Sequence, residues 1–276
     1  MILIQLTDLH CSPHGRPAMR RCETNMLTER ALRSARDFSP RAEAMMITGD
    51  LTDNGVAAEY QALGAMLKRL VDVPVYVIPG NHDRREVLRA ELGHLPGVTS
   101  DPHFVQYVVD DLPMRLVMLD TVVPGAGHGE LCAERMAWLE TTLAAAPDRP
   151  TMIGMHHPPF LCGIRHMDLI ALRDVAGFTA LIARHPQVRR IVCGHHHRPV
   201  TVQVAQAIAS IAPSVAHQVE LELHEDGPAL WNLEPAAYQV HLWLEGTGIV
   251  SHTAYVETYP GPYPFLIDPE YPGKAQ

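Results

Sequence analysis

Residues 44–54 read Ala44-Met45-Met46-Ile47-Thr48-Gly49-Asp50-Leu51-Thr52-Asp53-Asn54: an apolar run of strand length, then a glycine and a carboxylate, then a turn sequence. The same plan recurs along the chain. Met1–Leu6 is followed by Asp8-Leu9-His10, Val75–Pro79 by Gly80-Asn81-His82-Asp83, Thr151–Met155 by His156-His157-Pro158, and Val188–Cys193 by Gly194-His195-His196-His197. With Arg115–Asp120, these short apolar runs predict six buried strands. Between them Tyr60, Leu63, Leu67 and Leu70 recur at helical spacing, as do Met136, Leu139 and Leu143, and Val175, Phe178 and Ile182; each stripe is read as packing against a sheet. Alternating strands and helices through the first two-thirds of the chain predict an α/β layer architecture.

From Thr201 the pattern changes to strands without helices: Thr201–Val204, Ala207–Ile211, Gln218–Leu223, Tyr238–Leu244 and Ile249–Val256. The tail beyond Tyr259 holds five prolines among aromatic residues and reads as a segment that wraps over a surface or meets another subunit. At 276 residues with 47% hydrophobic and 19% charged side chains, the chain has ample core for a globular protein. Its formal net charge of −9 argues against duplex nucleic acid as a partner. No apolar run reaches the roughly 18 residues of a spanning helix, so no membrane crossing is expected. Five cysteines, an odd number without CxxC spacing, suit a reducing compartment, and the cytoplasm is the expected location.

Seventeen histidines stand out, and many of them sit at the strand ends. In an α/β sheet the loops beyond the carboxyl ends of strands form the ligand crevice, so five polar loops spread over almost two hundred residues converge. A period of two in extended backbone pairs Asp8 with His10 and His195 with His197, and turns His196 elsewhere. The spacing does not choose between His156 and His157. Carboxylates, one amide oxygen and four imidazoles, without thiolates, suit two divalent ions of intermediate hardness. With Asp50 bridging, each ion receives four protein bonds and keeps positions open for water and substrate, the arrangement that phosphoryl-ester hydrolysis demands.

Asp8-x-His10, Gly49-Asp50-x-x-Asp53, Gly80-Asn81-His82-Asp83, His156 and Gly194-His195-x-His197 resemble the five blocks of the calcineurin-like metallophosphoesterases, over Met1 to Pro199. The segments Met155-His156-His157-Pro158-Pro159 and Ala216-His217-Gln218-Val219 resemble the class III cyclic nucleotide phosphodiesterase group and, within it, bacterial glycerophosphodiester phosphodiesterases. The resemblance implies that Asp8, His10 and His197 hold one ion with bridging Asp50, and that Asn81, His156 and His195 hold the other. It implies two divalent ions drawn from Mn, Fe, Co or Zn, and a β-sandwich flanked by helices with a small C-terminal β cap that mediates homo-oligomers. On that reading residues 1–200 are the catalytic core, 201–258 complete the sandwich and cap, and 259–276 are a subunit contact.

The expected reaction is hydrolysis of small phosphodiesters, glycerophosphodiesters or cyclic nucleotides, by in-line attack of a metal-bound hydroxide. His82 is the candidate to protonate the leaving group, and Asp53 is placed either to orient it or to cap its own turn. Asn81, His82 and His217 are the expected substrate contacts, His217 by resemblance. Arg16, Arg20 and Arg21 lie where they could meet an anionic ester, but three arginines in a loop are more often solvated charge. The alternatives are a phosphomonoesterase or nuclease on the same scaffold, disfavoured for the nuclease by the negative charge, and a non-catalytic interaction module, disfavoured because all seven ligand positions are filled.

Overall fold

The computed structural model describes residues 1–264. Strands β1 (Ile2–Leu6), β2 (Ala44–Thr48) and β3 (Val75–Ile78) are buried at every position, as parallel strands covered on both faces must be. The helices between them are α1 (Thr24–Arg36) and α2 (Ala57–Leu70), and α3 (Arg85–Leu92) follows β3. The middle of the chain supplies β4 (Tyr107–Val109), β5 (Arg115–Leu119), α4 (Ala133–Ala144), β6 (Thr151–Met155), α5 (Arg165–Asp168), α6 (Val175–Ala183) and β7 (Val188–Cys193). Strands β8 (Val200–Val204), β9 (Ala207–Ile211), β10 (Gln218–Val219), β11 (Trp231–Asn232), β12 (Ala237–Leu244) and β13 (Gly248–Tyr255) follow.

These strands build two large sheets, in the orders β13-β12-β1-β2-β3 and β4-β5-β6-β7-β9-β8. Each has a parallel centre, β1 to β3 in one and β5, β6, β7 and β9 in the other. Antiparallel strands close the edges: β12 runs against β1 with Ile2 opposite Leu242, while β4 and β8 flank the second sheet. The period of two along a strand divides the core. Leu116 and Met118 of β5 pack in one cluster with Leu3, Ile4, Met45 and Met46 of the first sheet; the intervening Val117 and Leu119 pack with Leu139 and Leu143 of α4 and Phe178, Leu181 and Ile182 of α6. Helices α1 and α2 bring Leu32, Leu63 and Leu67 to the first sheet's cluster. The architecture is the expected one, a sandwich of sheets flanked by helices.

One local expectation changes, one helix was not foreseen, and the tail forms no element, as its prolines predict. Gln218–Leu223 pairs as a strand only over Gln218–Val219, against β11; with no further strand alongside among the described residues, Leu221 and Leu223 stand exposed. Helix α1 escapes the apolar periodicity because its buried face is Thr24, Thr28, Ala31, Leu32 and Ala35, mostly small or hydroxylated side chains. Among the described residues, those of the tail up to 264 form no strand or helix, and residues 265–276 lie outside the described residues.

His241 illustrates how the sheet treats a polar side chain. It is fully buried on β12, with Nε2 on Gln5 Oε1 at 3.1 Å and Nδ1 on Ser251 Oγ at 2.7 Å. Burial, assisted by the nearby Arg190 cation, pushes its imidazole down to about 3. Below pH 6.5 the unfolded chain takes up a proton that the fold refuses, so this stability is complete above 6.5 and is lost as pH falls toward 3. His241→Gln is expected to cost about 1 kcal/mol at pH 7.5 through the altered hydrogen bonds. It is also expected to remove about 2 kcal/mol of the decline between pH 7.5 and 5. Urea unfolding of the metal-free protein at both pH values checks this, and a decline equal to the wild type's would show that the ring is not held neutral.

Candidate active site

The ends of β1, β2, β3, β6 and β7 meet in one place, and the backbone there departs from extended geometry. Asp8, His10, Asp50, His195 and His197 all have positive φ, at 54°, 46°, 46°, 74° and 52°. The pairing of Asp8 with His10 and of His195 with His197 therefore arises from left-handed turns, not from the extended period of two that the sequence suggested. Such conformations cost on the order of 1–3 kcal/mol each for non-glycine residues and persist where the surroundings over-determine them. Here the loops hold one another: Asp8 N–H donates to Gly49 O at 3.1 Å and His10 N–H to Asp50 O at 3.0 Å. Gly49 is required twice over, by its φ of 94° and because a Cβ would lie 2.3 Å from His156 Nδ1.

Four rings are fixed by acceptor-only partners. His10 Nδ1 faces Asp53 Oδ1 at 3.2 Å, His156 Nδ1 faces Thr48 O at 2.8 Å, His197 Nδ1 faces His217 O at 2.8 Å, and His195 Nε2 faces Ile170 O at 3.0 Å. Each partner accepts, so each of these nitrogens carries the proton and the other nitrogen of the ring is left as a lone pair. Those of His10, His156 and His197 converge, and His195 groups with His156. His10 Nε2 and His197 Nε2 face each other at 3.2 Å, an arrangement that two neutral rings oppose and a shared cation resolves. His156 Nε2 lies 3.1 Å from Asn81 Oδ1 and 3.4 Å from Asp50 Oδ2, while the same Asp50 oxygen lies 3.6 Å from His10 Nε2. Asp50 thus stands between the two halves of the cluster, and Asp8 Oδ1 completes the first half at 3.3 Å from His197 Nε2. This donor set fits two divalent ions of the borderline kind.

Electrostatics agree with that use. Burial opposes ionisation of Asp8 and Asp50, yet the imidazoles beside them hold both carboxyls below the ordinary range, Asp50 well below it. Burial likewise works against charge on His156, but Asp50 and Asp8 outweigh it and raise the ring to about 9, so without a cation Nε2 takes a proton in the place that a metal ion would occupy. Burial and the neighbouring rings keep His195 well below its ordinary value, neutral and able to donate a lone pair.

His157 is excluded by its own bonds: Nδ1 takes the Thr121 hydroxyl at 2.7 Å and Nε2 donates to Gly127 O at 3.2 Å, so no lone pair remains. His82 lies at the exposed rim, where its N–H donates to Asp50 Oδ1 at 2.9 Å and its Nδ1 donates to Asp53 O at 2.7 Å. Asp53 therefore orients His82 through its carbonyl and His10 through its carboxylate, a division that the sequence reading did not make. A cavity of about 780 Å³ opens beside these groups, lined by Asp53, Asn81, His82, Arg84, Arg89 and His103. His217 stacks near His197 and His10, with ring centroids 4.5 and 5.2 Å away. Arg16, Arg20 and Arg21 are exposed.

The sequence reading passed over Asp83. Its carboxylate accepts Gly80 N–H and Leu51 N–H, both at 2.9 Å, together with Thr52 and the Tyr60 hydroxyl, stitching the Asp50 loop to the Asn81 loop. Burial and the Asp50 charge raise it to about 6. Its place in Gly80-Asn81-His82-Asp83 was the available signal.

The calcineurin-like phosphoesterase family matches residues 1–199. The chain belongs to this family. Among similar metallophosphoesterases is an Arcobacter nitrofigilis protein named Probable glycerophosphodiester phosphodiesterase GpdQ, 36% identical over 266 residues, 96% of this chain and 97% of that one. Another, from Rhodopseudomonas palustris, is named Probable cyclic nucleotide phosphodiesterase; it is 34% identical over 272 residues, 97% of each chain. A crystal structure of a dimetal phosphatase from Danio rerio shares the fold, with TM-score 0.66 and 15% identity over 93% of this chain and 99% of that one. The metallophosphoesterase fold therefore extends past residue 199, into the strands that complete both sheets.

Proposed function

We propose that the chain is a dinuclear metal-dependent phosphodiesterase acting on small diesters, glycerophosphodiesters or cyclic nucleotides. The observation that carries this reading is the set of four imidazoles, each locked on one nitrogen by an acceptor, with the free nitrogens of His10, His156 and His197 gathered around Asp50 and Asp8 and His195 grouped with His156. Asp8, His10, Asp50 and His197 would hold one ion, and Asp50, Asn81, His156 and His195 the other, with Mn, Fe, Co and Zn all acceptable to these donors. A bound ion pair supplies neutralisation of developing phosphoryl charge and a nucleophile from water at neutral pH.

The chain's own groups do the rest. Asp50 stays ionised, and its Oδ1 fixes the His82 backbone, which places the imidazole on the wall of the cavity. With Nδ1–H given to Asp53 O, His82 offers Nε2 to the leaving oxygen. Burial lowers this imidazole, but Asp50, Asp53 and Asp83 outweigh it and raise the net value, so a proton is held there for the alkoxide. Asn81 and His217 complete the substrate contacts. A small diester suits the cavity and the net charge of −9 better than a polymeric one.

Residues 1–200 act on this reading as the catalytic core and 201–258 as the completion and cap. Four exposed leucines, Leu221, Leu223, Leu230 and Leu233, lie around β10 and β11 and support a homo-oligomer covered there. Elution as a monomer at micromolar concentration contradicts that oligomer. Among the described residues no helix is long and apolar enough to cross a membrane, and the cytoplasm is the location that the five free cysteines support. The substrate class is tested by kcat/KM for glycerophosphoethanolamine, 3′,5′-cyclic AMP and a phosphomonoester on protein reconstituted with Mn(II). Preference for at least one diester supports the proposal; a preference for the monoester over both overturns it.

A further inference from the structure

Behind the dinuclear cluster lies a second group of ligating side chains that the phosphodiesterase chemistry does not use. His196 is fully buried, and neither of its ring nitrogens has a hydrogen-bond partner among the described residues. Its ring does not enter the cluster around Asp50, although it follows His195 directly. One of its nitrogens instead lies with Cys162 Sγ and an Asp168 carboxylate oxygen, all within 4.8 Å of one another. The carboxylate is already aimed: Asp168 accepts Cys162 N–H at 2.8 Å and Gly163 N–H at 3.0 Å, which fixes the turn around α5. Cys162 is a free, half-buried thiol.

We propose that Cys162, Asp168 and His196 form a third metal site, for a thiophilic divalent cation of which Zn²⁺ is the type. One thiolate, one carboxylate and one imidazole carry two negative charges against two positive, so the half-buried site is neutral when filled, and a water completes four-coordination. Binding costs one proton: the Cys162 thiol releases it to solvent as the sulfur–metal bond forms, while neutral His196 donates a lone pair it otherwise leaves unused. The site ties the Cys162–Asp168 turn to the Gly194–His197 loop. Ile170, two residues beyond Asp168, supplies the carbonyl that orients His195, so the third ion braces a ligand of the dinuclear centre without touching substrate.

The test is metal content and spectrum, not activity. Whole protein stripped of metal and dialysed against Co(II) is expected to hold three ions per chain and to show a thiolate-to-cobalt charge-transfer band in the near ultraviolet. Cys162→Ser and His196→Gln are each expected to hold two, with the band lost in both. In wild-type protein, Zn(II) is expected to slow alkylation of Cys162 by iodoacetamide at least tenfold while leaving the half-buried Cys132 unchanged, a comparison that needs no variant. Two ions and no band in the wild type, a band that survives Cys162→Ser, or equal alkylation of Cys162 with and without Zn(II) overturns the proposal. One ion per chain with a band that Cys162→Ser removes would instead uphold this site and refute the dinuclear one.

Discussion

Asp50→Asn is expected to lower kcat/KM for a diester by on the order of 10³-fold or more, because the several kcal/mol of charge neutralisation that two ions contribute depend on the residue between them. Asp50 Oδ2 stands 3.4 Å from His156 Nε2 and 3.6 Å from His10 Nε2, one carboxylate oxygen serving both halves of the cluster. An amide in its place carries no charge and offers one acceptor oxygen where two are in use, the other being taken by His82 N–H. Bound Mn(II) is therefore expected to fall from two ions per chain to one or fewer. Unchanged ion content and unchanged turnover in this variant would refute the bridging role.

The second large effect separates proton donation from metal binding. His82→Gln is expected to cost about 10²–10⁴-fold for diesters with an alkoxide leaving group, the usual scale of general acid catalysis, and only a few-fold for nitrophenyl diesters, whose leaving group departs without a proton. The pH profile carries the sign. His82 is raised above its ordinary value chiefly by Asp50 working against burial, so the proton is present at lower pH and the wild-type rate on alkoxide esters declines as pH rises through that value. Bound cations beside Asp50 weaken the field, which brings the limb nearer to the ordinary imidazole range in the loaded enzyme. The variant should lack that limb. Asp53→Asn is the control, since it leaves the carbonyl that holds His82 and removes the carboxylate that holds His10. It is expected to weaken metal binding by about 10–100-fold while keeping the leaving-group dependence of the wild type. An equal loss on both ester types in His82→Gln would rule out proton donation.

The parallel strands were legible because burial on both faces leaves them as unbroken apolar runs; Ala44–Thr48 and Thr151–Met155 coincide with β2 and β6. Helix α1 was not, since threonine and alanine make its buried face and no large apolar stripe marks it. Strand β10 stopped short because pairing needs a neighbour, which single-sequence periodicity does not reveal. At the site, the residue types at the strand ends announced the donor chemistry. What aims them did not show, because the acceptors are the carbonyls of Thr48, Ile170 and His217, and a carbonyl is present in every residue. His156 and His157 have the same side chain, and only Thr121 and Gly127, distant in sequence, distinguish them. The left-handed turns at Asp8, His10, Asp50, His195 and His197 were likewise hidden, since local propensity disfavours them and tertiary bonds impose them.

The most direct test of the dinuclear reading is a titration of metal-stripped protein with Mn(II), a hard ion that competes poorly for the Cys162 thiolate, with bound ion and diester turnover followed together. The account predicts no turnover without metal and a rate that reaches its plateau as bound Mn(II) reaches two per chain. Full turnover with one ion per chain, or turnover that persists in the metal-stripped protein, would contradict it.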